Sequence, residues 1–296
     1  MNIEPVSSIS TVLGENPLWD PDAERIYWVD AVGKKLFRAA PDGRDVETWD
    51  MPAEIGSMTL CRNGSAIMAL DTGLYFFDFK SASLEKFADP EGHQPQVRLN
   101  DCKVDRKGRL VVGSFDKESY DIANPGVPRS SRGSLYRMDP DLSVHVLDTG
   151  LSCGNGPCFS PDDTRIYYAD TLAGLIWTAD WDSASGTISN KRKFHSYGPM
   201  EGMPDGATVD AEGFYWSTFM GPGELRRYYP DGKLERTVKM PVLKVSSMIF
   251  GGPNLDVIYV TTMDDHLPPP DGPMGGRLFA VKGLGIRGLP EPKFAL

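Results

Sequence analysis

Carboxylate and amide side chains recur in short polar motifs that stand in front of apolar, strand-like segments. Glu15, Asn155 and Asp205 occupy three of these motifs, and each supplies an oxygen donor. Such donors suit a hard or intermediate divalent cation that keeps open positions for water and substrate. The alternative is that each residue only caps a strand or makes a turn hydrogen bond, because Asn-Gly and Asp-Gly are ordinary turn pairs.

The motifs belong to a sequence repeat. Residues 16–30 and 155–170 match almost position for position, with a polar turn between two apolar segments. Weaker copies begin at four further positions, which are Gly56, Asn100, Asp205 and Ser246. Each unit has room for four strands in roughly 40 to 55 residues, which is the size of a propeller blade. The sequence therefore predicts an all-β fold, a six-bladed β-propeller with four-stranded blades, in a single domain over residues 1–296.

Propeller geometry predicts where the repeated polar residues lie. The first strand of every blade lines the central channel, so equivalent positions of successive repeats face one axis, and the oxygen donors are expected to converge there. Second strands run antiparallel to the first, so their ends, such as Asp30 and Asp170, are expected to surround the same opening. Two long insertions, residues 116–132 and 264–276, follow second strands and are expected to cover it.

Four ordered motifs, at residues 13–19, 98–105, 155–162 and 203–213, resemble those of a known family. This is the gluconolactonase family, to which senescence marker protein and regucalcin also belong. The resemblance extends over nearly the whole chain. It implies a six-bladed propeller with one divalent metal ion in the channel, and most bacterial members of the family hydrolyse sugar lactones.

Carried over position by position, the resemblance implies roles for individual residues. It implies three metal ligands, which are Glu15, Asn155 and Asp205. It implies three positions that contact substrate hydroxyls, which are Arg98, Asn100 and Glu118. Asp205 also matches the position proposed as the general base. Two departures, Cys102 where glycine is common and Cys158 in a Gly-Pro-Cys segment, leave the metal set intact but alter the expected substrate pocket.

The expected function is metal-dependent hydrolysis of a sugar lactone (an aldonolactone) to the open-chain acid in carbohydrate catabolism. The metal is expected to be calcium, zinc, manganese, magnesium or ferrous iron. Two alternatives stay open: a calcium-binding propeller without turnover, and a paraoxonase-like esterase, which would need a more apolar mouth. Arg98 cannot be a metal ligand, because a guanidinium has only donors. Its expected partner is the substrate, and the alternative is a salt bridge to Asp116 or Asp121.

The composition of the chain argues against several other classes of protein. The chain has 31 Lys and Arg against 41 Asp and Glu, a net charge of −10, which argues against a general nucleic-acid binder. The sequence shows neither a signal peptide nor an apolar run long enough to cross a membrane, and its four scattered cysteines predict reduced thiols in the cytoplasm.

No Gly-x-Ser-x-Gly motif is present, which argues against an α/β-hydrolase. His266 is the one histidine considered as a contact at the mouth, and an ordinary loop position is the favoured interpretation.

Overall fold

The computed structural model describes residues 1–120, 127–198, 200–264 and 274–296. These residues contain no α-helix, and their strands form six four-stranded antiparallel sheets. The predicted all-β, six-bladed propeller with four-stranded blades is confirmed. Within the same residues, no helix has the length and apolar character needed to cross a membrane.

The chain divides into two compact units, and three sheets are described with each. Unit 1 comprises residues 1–54 and 205–291, and unit 2 comprises residues 55–204 and 292–296. The assignment of all 296 residues to one domain stays a prediction. Residues 121–126 and 265–273 lie outside the described residues, and with them Asp121, His266, part of the first long insertion and most of the second.

Three sheets are described with unit 1. The first joins β2 (Gly14–Asp20), β3 (Arg25–Asp30), β4 (Lys35–Ala39) and β5 (Glu47–Asp50). The second joins β18 (Met203–Val209), β19 (Tyr215–Met220), β20 (Glu224–Tyr228) and β21 (Leu234–Lys239). The third joins β22 (Val245–Gly251), β23 (Val257–Thr262) and β24 (Phe279–Lys282) to β1 (Asn2–Pro5). Its outermost strand is therefore the first strand along the chain.

Unit 2 contains three sheets that are each continuous in sequence. The first joins β6 (Ile55–Leu60), β7 (Ala66–Leu70), β8 (Gly73–Asp78) and β9 (Ser83–Ala88). The second joins β10 (Val97–Val104), β11 (Leu110–Asp116), β12 (Gly133–Met138) and β13 (Val144–Leu151). The third joins β14 (Gly154–Phe159), β15 (Arg165–Asp170), β16 (Leu175–Asp182) and β17 (Thr187–Ser196). The buried side chain of Phe294 packs into the core of this unit, where its amide donates to the Leu60 carbonyl.

Burial falls from the first strand of a sheet to the fourth. Every residue of β14 is buried, whereas most residues of β17 in the same sheet are exposed. Aliphatic and aromatic side chains of the first three strands form the core, and Trp28 on β3 stacks on Phe37 on β4 with ring centroids 5.0 Å apart. Polar residues on first strands are thus held in a buried environment, where each needs a hydrogen-bonding partner.

Candidate functional site

The first strands of several sheets carry a β-bulge at equivalent positions. The register of pairing with the second strand shifts between Glu15 and Leu18 in β2, and between Asn155 and Cys158 in β14. β10 has the same irregularity just after Leu99. A bulge leaves one residue unpaired and redirects the neighbouring side chains. The predicted oxygen donors Glu15 and Asn155 therefore stand where the regular ladder is interrupted.

Two residue types explain the bulges of β2 and β14. Asn16 and Gly156, which follow the two donors, have φ angles of 47° and 52°. Glycine adopts this left-handed region freely, and asparagine tolerates it better than most residues. In both repeats the next residue is a proline, which has no N–H to contribute to the ladder. The bulge is thus encoded in the repeated motif itself.

The turn interpretation of Asn-Gly and Asp-Gly is wrong for both pairs. Asn155 and Gly156 lie inside β14, and Asp205 and Gly206 lie inside β18. A Cβ at Gly206 would come within 2.6 Å of the backbone Cα of Ser247 on β22. Glycine is present at that position because two strands approach closely, not because the chain turns.

A directed chain of hydrogen bonds joins three predicted site residues of unit 2. Arg98 Nη1 donates to Asn100 Oδ1 at 3.1 Å, and Asn100 Nδ2 donates to Asn155 Oδ1 at 3.0 Å. Asn155 Nδ2 then donates to Thr171 Oγ1 at 2.9 Å. The guanidinium has only donors, so it fixes which end of each amide faces the next group. The structure therefore brings Arg98, Asn100 and Asn155 together, and adds Thr171 to them.

Arg98 is nearly buried, with 8% of its surface exposed. Its Nη1 also donates to the Leu99 carbonyl at 2.9 Å, and its guanidinium lies 5.1 Å from the centre of the Phe115 ring. Asp116, one acid considered as a salt-bridge partner, is instead bound by Arg132. The ion pair between Arg98 and Asp116 is thus wrong. Asp121, the other acid considered, lies outside the described residues.

Glu118 has a different environment from the amide chain. Its side chain is 61% exposed, and Oε2 accepts a hydrogen bond from Arg132 Nη2 at 2.7 Å. Arg132 in turn is held by the fully buried carboxylate of Asp116, at 2.7 and 2.9 Å. Burial acts to raise the pKa of Asp116, but hydrogen bonds from the Arg132 side chain and from the amides of Glu118 and Arg132 lower it to about 2. The structure joins Glu118 to Arg132 rather than to Asn100 or Asn155.

The other two predicted ligands belong to unit 1. Glu15 is partly buried on β2, and its Oε2 accepts a hydrogen bond from the Asn16 amide at 3.3 Å. Asp205 lies on β18 with only 4% of its surface exposed. A buried carboxylate is costly unless charge or hydrogen bonds compensate it.

The acids at the ends of second strands hold the backbone. Asp30 accepts hydrogen bonds from the amides of Val12, Leu13 and Gly33 at 2.9 to 3.1 Å. Asp170 is the last residue of β15. Its carboxylate accepts hydrogen bonds from the backbone amides of Ser152 and Cys153, which precede β14, and from the Ser152 hydroxyl. Asp30 and Asp170 are both buried. Burial raises the pKa of Asp170, and the hydrogen bonds from Ser152 and Cys153 act against that rise.

None of the four cysteines, all of which lie among the described residues, forms a disulfide. Burial raises the pKa of Cys102 to about 12, which keeps its thiol protonated and unreactive at neutral pH. Cys153 Sγ lies 3.7 Å from the side-chain nitrogens of both Asn100 and Asn155. It thus packs beside the amide chain as a weak acceptor.

The described residues offer oxygen donors for a metal ion by type, without a cluster of acids, histidines or cysteines. In residues 1–120, 127–198, 200–264 and 274–296, no three His, Cys, Asp or Glu side chains cluster as a metal centre would. The three predicted ligands, Glu15, Asn155 and Asp205, are not a cluster of this kind, because Asn155 contributes an amide oxygen. Asn155 Oδ1 uses one lone pair for Asn100 and has a second to offer a cation. The donors therefore fit a hard divalent ion by type.

The sequence also matches a family model described as the SMP-30/Gluconolactonase/LRE-like region, over residues 13–264. The chain belongs to this family. The resemblance stated from the four motifs is thereby confirmed. The matched residues include every predicted site residue.

Individual members of the SMP-30/gluconolactonase family align with the chain over nearly its full length. It is 32% identical to regucalcin of Xenopus laevis over 299 residues, which cover 100% of this chain and 99% of that protein. A solved luciferin-regenerating enzyme superposes with a TM-score of 0.92 and 26% identity, covering 100% of this chain and 99% of its own. Regucalcin of Agrobacterium tumefaciens, described as a calcium-binding protein, gives a TM-score of 0.90 and 25% identity, covering 99% and 97%.

Proposed function

We propose that the protein hydrolyses a sugar lactone and depends on one divalent metal ion, with Glu15, Asn155 and Asp205 as its ligands. The directed chain from Arg98 to Asn155 is the observation that carries the proposal. It fixes the orientation of the buried Asn155 amide through Asn100 and leaves Oδ1 with a second lone pair to offer a cation. Family membership supports the same reaction, because gluconolactonase is one of the activities in the family's name.

The residues of the chain supply binding and proton transfer. Both hydrogen bonds of Arg98 within the described residues use Nη1, so Nε and Nη2 are the atoms proposed to bind substrate oxygens. Asn100 is proposed to fix a sugar hydroxyl, because its amide is itself immobilised at both ends. Glu118, exposed beside Arg132, is proposed to accept from a further hydroxyl.

Asp205 is proposed as the general base. A lactone opens when water attacks its carbonyl carbon, and the attacking water must lose a proton. A buried carboxylate can accept that proton, since it does not have to give up a full shell of solvent first. A bound divalent ion would supply polarisation of the carbonyl and a lowered pKa for water.

The test is a panel of five- and six-membered aldonolactones, assayed by acid release. Purified protein is stripped with a chelator and then assayed alone and after addition of calcium, zinc, manganese, magnesium or ferrous iron. We expect hydrolysis above the spontaneous rate only in metal-loaded samples. No such rate with any lactone and any metal would contradict the proposal.

A second candidate function is calcium binding without turnover. The relative from Agrobacterium tumefaciens, which resembles this chain over almost its full length, is described as a calcium-binding protein. The same panel separates the two functions. Tight calcium binding measured by calorimetry, together with no lactone hydrolysis, would favour the second candidate.

A further inference from the structure

Thr171 ends the hydrogen-bonded chain that begins at Arg98. It is buried, with 6% of its surface exposed, and directly follows β15. Its backbone amide donates to the Cys153 carbonyl at 3.0 Å, which fixes the residue beside β14. From that position Oγ1 accepts the Asn155 Nδ2–H at 2.9 Å. A buried hydroxyl is thus held against the nitrogen of a proposed ligand amide.

The orientation of the Asn155 amide decides which atom a cation would meet. A carboxamide presents oxygen at one end and a donor nitrogen at the other, and only the oxygen can ligate a cation. Asn100 Nδ2 holds the oxygen end and Thr171 Oγ1 holds the nitrogen end. Without the hydroxyl, the acceptor that remains for the Asn155 Nδ2–H among the described residues is the thiol of Cys153, at 3.7 Å. A thiol is a weak acceptor, so the preference for one orientation would fall.

We infer that Thr171 is a positioning residue, which holds the Asn155 amide so that Oδ1 is the atom presented to the metal ion. The inference rests on the proposed function, because Asn155 is a ligand only in that proposal. Residues that orient a ligand from behind typically change metal affinity by about 10- to 100-fold when they are removed.

The experiment compares two variants with the unaltered protein. Thr171→Val keeps the shape of the side chain and removes the acceptor, whereas Thr171→Ser keeps the hydroxyl and removes a methyl group. Metal-free proteins are titrated with Ca²⁺, Mn²⁺ and Zn²⁺ by calorimetry, and the cation that the unaltered protein binds most tightly is carried to both variants. Thermal unfolding of the metal-free proteins shows whether each variant is folded.

We expect Thr171→Val to raise the Kd for that cation about tenfold or more, and Thr171→Ser to leave it within about threefold. Equal affinity in the unaltered protein and Thr171→Val would overturn the inference alone. An equal loss in both variants would overturn it as well, because packing and not the hydroxyl would then be responsible. If the protein binds the cation but hydrolyses no lactone, the proposed function fails while the calorimetry still decides the inference. If none of the three cations binds, the inference is overturned, and the lactone panel, which also contains magnesium and ferrous iron, decides the proposed function separately.

Discussion

Two groups of polar residues, those at the bulges of the first strands and those at the ends of the second strands, have different hydrogen-bonding partners. At the bulges, Asn100 and Asn155 bond to each other through their side chains within one directed chain, and Asn100 Nδ2 also donates to the Gly154 carbonyl at 3.1 Å. At the second-strand ends, Asp30 and Asp170 accept backbone amides near the start of their own sheets. Both groups are polar and repeated, and all of these residues except the partly buried Asn100 are buried. The difference between the two groups is that Asn100 and Asn155 are joined side chain to side chain, whereas Asp30 and Asp170 hold backbone amides in place.

The largest effect should come from the first-strand group. Asp205→Asn keeps an oxygen donor and removes the proposed base, so we expect kcat for the preferred lactone to fall by about 10² or more while metal affinity weakens modestly. Metal content is verified in every sample, and thermal unfolding serves as the control for folding. Turnover near that of the unaltered protein would place the base elsewhere and weaken the contrast between the two groups.

The second-strand group should affect stability instead. Asp170→Ala leaves the amides of Ser152 and Cys153 buried without their acceptor, so we expect the free energy of unfolding to fall by about 3 kcal/mol. The matched variant Asp170→Asn keeps an acceptor oxygen and should lose less. Urea unfolding measures both. A large fall in kcat of folded Asp170→Asn, with unchanged stability, would contradict the separation between the groups.

Asp116, the last residue of the second strand β11, should make the stability of the protein depend on pH in the acid range. The pKa of Asp116 is held at about 2, below the unfolded value near 3.8, so its ionised form stabilises the folded state. That stabilisation is fully present above pH 4 and is lost as the pH falls towards 2. We expect a loss of about 2 kcal/mol at most in urea unfolding over this window, and a smaller loss in Arg132→Gln, where the main partner is gone. An identical acid dependence in both proteins would show that Asp116 is not responsible.

The smallest effect concerns Arg98 at the start of the amide chain. Arg98→Met keeps much of the packing on Phe115 and removes every donor, so we expect kcat/KM to fall about tenfold. The fall should be larger for a lactone with an anionic substituent. Arg98→Lys, which keeps the charge, should lose less. An equal fall for neutral and anionic lactones would limit Arg98 to orienting Asn100.

The sequence predicted the sheets well because the repeats encode them. Asn16-Pro and Gly156-Pro stand at matching places, and the bulge follows from their residue types. It did not predict that β1 completes the sheet of β22 to β24, since this short segment matches no repeat. Thr171 was also missed, because it stands just beyond the aligned segment. Comparison of the two best copies could have drawn attention to it, because Ala31 occupies the equivalent place in the first copy and has no hydroxyl.

Asn100 and Asn155 were predicted as site residues, but not as hydrogen-bonded neighbours. Equivalent phase in a repeat places two side chains at one height and does not fix their rotamers or their partners. Asp101 was missed for a similar reason. Its buried carboxylate accepts the amide of Cys102 at 2.8 Å and that of Gly156 at 3.0 Å, and so ties the bulge of β14 to that of β10. A contact of this kind depends on three-dimensional packing that no local pattern contains.

The position of β1 has a consequence for how the protein tolerates alteration at its beginning. β1 pairs antiparallel with β24 from Asn2 to Pro5, and it is the outermost strand of that sheet. Deleting these residues would leave β24 with a row of unsatisfied backbone donors and acceptors along its outer side. Exposed strand edges of this kind recruit strands from other molecules, so such a truncation should make the protein prone to self-association. A fusion partner placed before Asn2 would extend directly from an edge strand, and a flexible spacer is needed there to keep the pairing intact.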